Sequence, residues 1–207
     1  MRKQSCVPMI ALCLLLTGCG ETPAKEITAA DLRALYTDVS GCTMEAALRC
    51  SQEDRAWEGT LRCDYVPGGE STVEVLAPEM IAGVKAIVTA DGLALSCDDR
   101  TLNIGTLTEE ELSPAVCLPR LMDALRSGWL LEENRETWGE AECIRLMLDQ
   151  TGSGGGKIVS TFWLRLSDGA PVYAELAVAE EVIFAVEFTA FEFCDTIDSQ
   201  EAAASGK

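Results

Sequence analysis

The groups able to do chemistry in this chain of 207 residues are 34 Asp and Glu, ten Cys and no His at all. Without imidazole, Ser-His-Asp and Cys-His nucleophiles have no base, and the commonest catalytic zinc sites lose a ligand. Carboxylates remain, and a suitably spaced pair could run the acid/base hydrolysis of a glycosidic bond. With so many acids, however, such pairs arise by chance, and a solvated acidic surface accounts for them. Seven cysteines, Cys42, Cys50, Cys63, Cys97, Cys117, Cys143 and Cys194, follow Cys19 without any CxxC or clustered ligand set, so neither a metal site nor a cofactor is expected. In an oxidising compartment some would pair, an odd number leaving at least one free; alternatively they are small buried hydrophobes, since several fall in phase with apolar residues. Thr151-Gly152-Ser153-Gly154-Gly155-Gly156-Lys157 fails as a phosphate cradle, because Ile158 stands where Ser or Thr is needed and a strand pattern follows.

Cys19 stands in a different setting. Arg2 and Lys3, then an apolar run over residues 7–16, lead into Leu16-Thr17-Gly18-Cys19. That order resembles the lipobox of bacterial lipoproteins, which implies that residues 1–18 leave as a signal peptide and that the Cys19 thiol is diacylated. The run is shorter than the roughly 20 residues that span a bilayer, so the chain is expected to be anchored by lipid, and two acyl chains hold firmly where one does not. Residues 19–27, with Pro23, suit a tether. The leader holds two of the 16 basic residues and no acid, so the remainder is more acidic than the whole chain's −18. Such a surface repels phosphate, which argues against nucleic acid and leaves membrane attachment to the lipid. Gly20 is not the aspartate that retains lipoproteins in an inner membrane. The expected location is extracytoplasmic: the outer leaflet of a single cell membrane, or the outer membrane where there are two.

One domain is expected over residues 28–197, with 48% hydrophobic residues to fill a core. Thr28 suits an N-cap, Asp31 takes the capping-box position, and Leu32, Leu35, Tyr36 and Val39 follow at helical spacing until Gly41 ends the helix. The period then drops to two. Met44, Ala46, Leu48 and Cys50, and then Trp57, Gly59, Leu61, Cys63 and Tyr65, alternate with their neighbours as two strands of a hairpin. Pro67-Gly68-Gly69 and Asp91-Gly92 supply turns for strands over 71–76, 84–89, 93–97 and 101–104. Residues 108–128 interrupt this meander. Ser113-Pro114 can open a helical turn, but Pro119 lacks an amide donor, so the main helix is expected from Pro119 to Ser127, capped by Gly128, with Leu118, Leu121, Met122 and Leu125 facing the sheet. Strands resume over 129–131, 143–148, 158–166, 172–178 and 182–193, and residues 198–207 are a flexible tail.

Three stretches then carry a wider likeness: Trp57-Glu58-Gly59-Thr60-Leu61, Ala90-Asp91-Gly92-Leu93-Ala94-Leu95, and Trp163-Leu164-Arg165-Leu166-Ser167-Asp168-Gly169-Ala170-Pro171-Val172-Tyr173-Ala174-Glu175 with Phe188-Thr189-Ala190-Phe191-Glu192-Phe193. Together with the order of elements they resemble the LolA/LolB superfamily, which includes lipoprotein carriers and clostridial germination lipoproteins. The resemblance implies an α+β, mostly antiparallel fold: a strongly curved sheet, an unclosed barrel, with helices on its concave face. It also implies a non-enzymatic lipoprotein that binds an apolar ligand or lipid, or an envelope protein such as a peptidoglycan-processing enzyme in spore germination. A carboxylate-dependent cell-wall glycosidase is the alternative. Trp57, Leu61, Leu118, Leu121, Met122 and Leu125 are the residues expected to line an apolar cavity, unless they simply close the core.

Overall fold

The computed structural model describes residues 27–52, 55–90, 92–97, 100–105, 112–151 and 157–194. Cys19, the leader, residues 19–26 of the tether and the tail lie outside the described residues. Helix α1 spans Ala29–Asp38 and begins with a complete capping box: the Asp31 amide donates to Thr28 Oγ1, and the Thr28 amide donates to the Asp31 carboxylate. The first meander follows as β1 (Gly41–Gln52), β2 (Arg55–Tyr65), β3 (Ser71–Ala77), β4 (Lys85–Thr89), β5 (Gly92–Cys97) and β6 (Arg100–Gly105), with one 3-10 turn, Glu79–Ile81, between β3 and β4. Helix α2 (Pro114–Ser127) leads to β7 (Trp129–Trp138), β8 (Ala141–Asp149), β9 (Ile158–Arg165), β10 (Pro171–Val178) and β11 (Glu181–Cys194).

All strands join one antiparallel sheet in the order β6-β5-β4-β3-β2-β1-β11-β10-β9-β8-β7. The long central pair β1 and β11 stitches the two meanders together, and β6 and β7 are free edges. Helix α2 carries the chain from one edge to the other and touches β2, β3 and β4 on one side and β8 and β10 on the other. Strands β4 and β8 are seven strand spacings apart, about 34 Å in a flat sheet. A 14-residue helix is only about 21 Å long, so the sheet must curve around it. This is the unclosed, helix-filled barrel that the resemblance implied. The concave face carries the alternating residues of the sequence reading: Cys42, Met44, Ala46, Leu48 and Cys50 of β1, and Leu61, Cys63 and Tyr65 of β2, are all buried.

Three expectations about elements are corrected. Helix α2 begins at Pro114, so Pro119 lies within it. A proline there costs one hydrogen bond, to the carbonyl four residues back, in the second turn; burial of Val116, Cys117, Leu118, Leu121 and Met122 offsets that loss. Gly41 does not end α1, which is capped at Val39; it opens β1 where a Cβ would lie 2.3 Å from the Tyr65 carbonyl oxygen. Strand β7 runs for ten residues instead of three. Its charged stretch Glu132-Glu133-Asn134-Arg135-Glu136 is exposed along an edge, and an edge wetted on both faces shows no apolar period.

Candidate functional site: an apolar cavity

The curvature leaves a cavity of about 350 Å³ between strands β2 to β6 and the first turn of α2. Inward positions of successive strands form its wall: Trp57 and Leu61 of β2, Val73 and Val75 of β3, Leu93 and Leu95 of β5, and Ile104 of β6. Gly59 shapes it. An ideal Cβ there would lie 2.4 Å from the Trp57 ring, so the absent side chain lets the indole lean along β2 over the glycine and into the wall. The mouth is closed at one end by Ser113, Pro114 and Ala115. No charged side chain lines the cavity among the described residues. Ser113 occupies the N-cap of α2, yet its hydroxyl makes no capping bond; Oγ is buried and has no partner among the described residues. A buried unpaired hydroxyl costs about 1–3 kcal/mol and calls for an explanation. The volume falls in the range of ligand pockets, roughly 300–1,000 Å³.

Of the residues expected in the wall, Trp57 and Leu61 are there. Leu118, Leu121, Met122 and Leu125 lie farther along α2, completely buried in the central core and not among the lining residues. Cys19 is outside the described residues. Sequence reasoning passed over Val73, Val75, Leu93, Leu95 and Ile104 because the same alternation marks a core wall and a cavity wall. Ser113 was legible only as a helix start.

The remaining reactive groups are placed differently. All seven described cysteines are unpaired; Cys42, Cys50, Cys63, Cys117 and Cys143 are buried, and Cys97 and Cys194 are exposed. Burial pushes the Cys42 thiol up to about 12 and raises Cys63 and Cys117 as well, which suppresses the reactive thiolate. Asp123 of α2 is a carboxyl raised by burial, only partly offset by Tyr65, whose hydroxyl donates to it, and by Arg126 and Arg120. It belongs to the seam between α2 and β2. Glu136 and Glu142 share a separate cleft of about 170 Å³, where Glu136 accepts a bond from Trp163 Nε1. Among the described residues no group of three or more Cys, Asp or Glu is placed to hold a metal ion.

No family model matches the chain, and no curated protein matches it. Among solved structures it is similar to a LolA superfamily protein from Nitrosomonas europaea, at 11% identity over 84% of this chain and 96% of that one, with a TM-score of 0.45. It is similar also to the lipoprotein LppX of Mycobacterium tuberculosis (11% identity, 83% and 99% covered, TM-score 0.43). A third is the GerS lipoprotein of Clostridioides difficile, solved in complex with the CwlD amidase (13% identity, 82% and 98% covered, TM-score 0.37). The likeness is one of fold outline.

Proposed function

We propose that this chain is a lipid-anchored protein of the cell envelope whose domain, residues 28–197, binds one apolar chain in the cavity behind Trp57. The cavity carries this reading: an uncharged apolar space of about 350 Å³ walled by Trp57, Leu61, Val73, Val75, Leu93 and Leu95. A fatty-acyl chain suits those walls. The anchor is the diacylated Cys19, reached through the tether, and it holds the protein on the outer side of a membrane. No helix among the described residues is long and apolar enough to cross one. The role is carriage or sensing of the apolar chain, without chemical change to it.

The test is a titration of the chain beginning at residue 20 with a dansylated undecanoic acid, whose fluorescence rises in an apolar site. Saturable binding is expected, and it is abolished by Leu61→Trp, which fills the cavity. Fluorescence unchanged by Leu61→Trp would overturn the assignment of the site. Cys19→Ala in the full chain is expected to release the folded protein from the membrane fraction; continued fractionation with the membrane would refute the anchor.

A further inference from the structure

The outward side of the sheet carries an aromatic cluster that the core does not use. On β9 and β10 the buried residues Phe162, Leu164, Ala174 and Leu176 point inward, so Trp163 and Tyr173, which alternate with them, point outward. These two are paired across the strands, with ring centroids 5.3 Å apart. Trp138, the last residue of β7, stacks on Tyr173 at 4.3 Å and 13°, and its ring lies 5.1 Å from that of Trp163. It remains 37% exposed: one face of the indole rests on the tyrosine and the other is turned to water. Polar groups are held along the ring edges. Glu136 Oε2 accepts from Trp163 Nε1 at 2.9 Å, and Glu175 Oε1 accepts from the Tyr173 hydroxyl at 3.2 Å. The second oxygen of Glu175 has no hydrogen-bond partner among the described residues. The Arg145 guanidinium stands over Trp163, 5.7 Å from the ring centroid.

We propose that this cluster is a binding platform for a neutral saccharide. A pyranose ring has a flat face of C–H groups and a rim of hydroxyl donors, so it takes an aromatic ring beneath it and fixed acceptors beside it. The open face of Trp138 supplies the first, and the carboxylates of Glu136 and Glu175, each already oriented by a ring donor, supply the second. Other ligands fit less well. The three rings touch one another, so they leave no cage between them for a quaternary ammonium ion. An acyl chain brings no donor to the carboxylates and would desolvate them without return. An anion meets Glu136 and Glu175 on a chain of net charge −18. Packing between strands is met by the Trp163 and Tyr173 pair, whereas Trp138 adds to it an indole with one free face. The cavity is walled by inward residues of β2 to β6, so the platform stands independently of the acyl-chain site.

The test is isothermal titration of the full chain, made in a bacterial host and purified in a sugar-free detergent, with chitotetraose as the probe. Saturable binding is expected, about tenfold weaker in Trp138→Ala for the loss of one stacked ring. Glu175→Ala, a milder change on the same face, is expected to weaken it several-fold, both variants being folded by circular dichroism. Trp129→Ala removes another exposed indole, at the opposite end of β7, and is expected to bind as the unsubstituted chain does. Because the ligand is uncharged, high salt is expected to leave the affinity unchanged. Dansylated undecanoic acid is expected not to displace it. Absence of chitotetraose binding, equal weakening in Trp129→Ala and Trp138→Ala, or displacement by the dansylated acid would overturn the platform. Salt-sensitive binding of tetralysine in place of chitotetraose would also overturn it and make the cluster a cation site.

Discussion

At the scale of single residues, the molecule depends on what is left out as much as on what is present. Gly59 yields its side-chain space to Trp57, with the Ala77 carbonyl oxygen 2.6 Å from the ideal Cβ on another side. Gly59→Ala is therefore expected to displace the indole and cost about 1–3 kcal/mol by overpacking, seen as a lower denaturation midpoint together with a shifted tryptophan emission. The cysteines divide by burial. In the chain beginning at residue 20, a thiol reagent at pH 8 is expected to modify Cys97 and Cys194 while the protein is folded, and the five buried thiols only in denaturant. Labelling of Cys63 or Cys117 in the native state would show that the core opens. Asp123 sets a pH dependence. Its folded pKa lies above the unfolded value, so the folded state holds the proton more tightly; its stabilising contribution is complete below the unfolded pKa and is lost as pH rises through the folded one. Asp123→Asn is expected to flatten that part of the decline, measured as thermal midpoint against pH.

At the scale of elements, the sequence was legible wherever one face is buried and the other wet. The capping box of α1 and the period of β1 and β2 are of that kind, because each alternate residue meets a different solvent. Strand β7 was not legible, since an edge exposed on both faces gives no contrast, and α2 was misjudged at Pro119 because tertiary burial outweighed a local loss. The candidate site was half legible: Trp57 and Leu61 stand on a face that the pattern identifies, but no pattern in one chain says where that face lacks a covering side chain. Helix α2 has two parts, its first turn closing the cavity and its later turns filling the core. Leu121→Ala, at a fully buried position, is expected to cost about 2–5 kcal/mol while the folded fraction still binds dansylated undecanoic acid with unchanged stoichiometry. Loss of binding in protein shown to be folded would place the ligand deeper along α2.

At the scale of the whole molecule, the architecture is two meanders joined at β1 and β11 and wrapped around one crossing helix. Helix α2 crosses a curved sheet whose edges β6 and β7 do not pair, and the cavity lies between its first turn and strands β2 to β6. The acidic exterior keeps such a protein apart from anionic headgroups and nucleic acid, so the proposed lipid is what sets its place. Fold and function meet in one claim, that the space behind Trp57 holds an apolar chain. Native mass spectrometry of the chain beginning at residue 20, made in a bacterial host and purified without detergent, followed by organic extraction, tests it most directly. The expected result is a one-to-one adduct that extracts into organic solvent and disappears in Leu61→Trp. A clean mass of the bare chain that takes up no added fatty acid would contradict it and leave the cavity as a packing defect of the core.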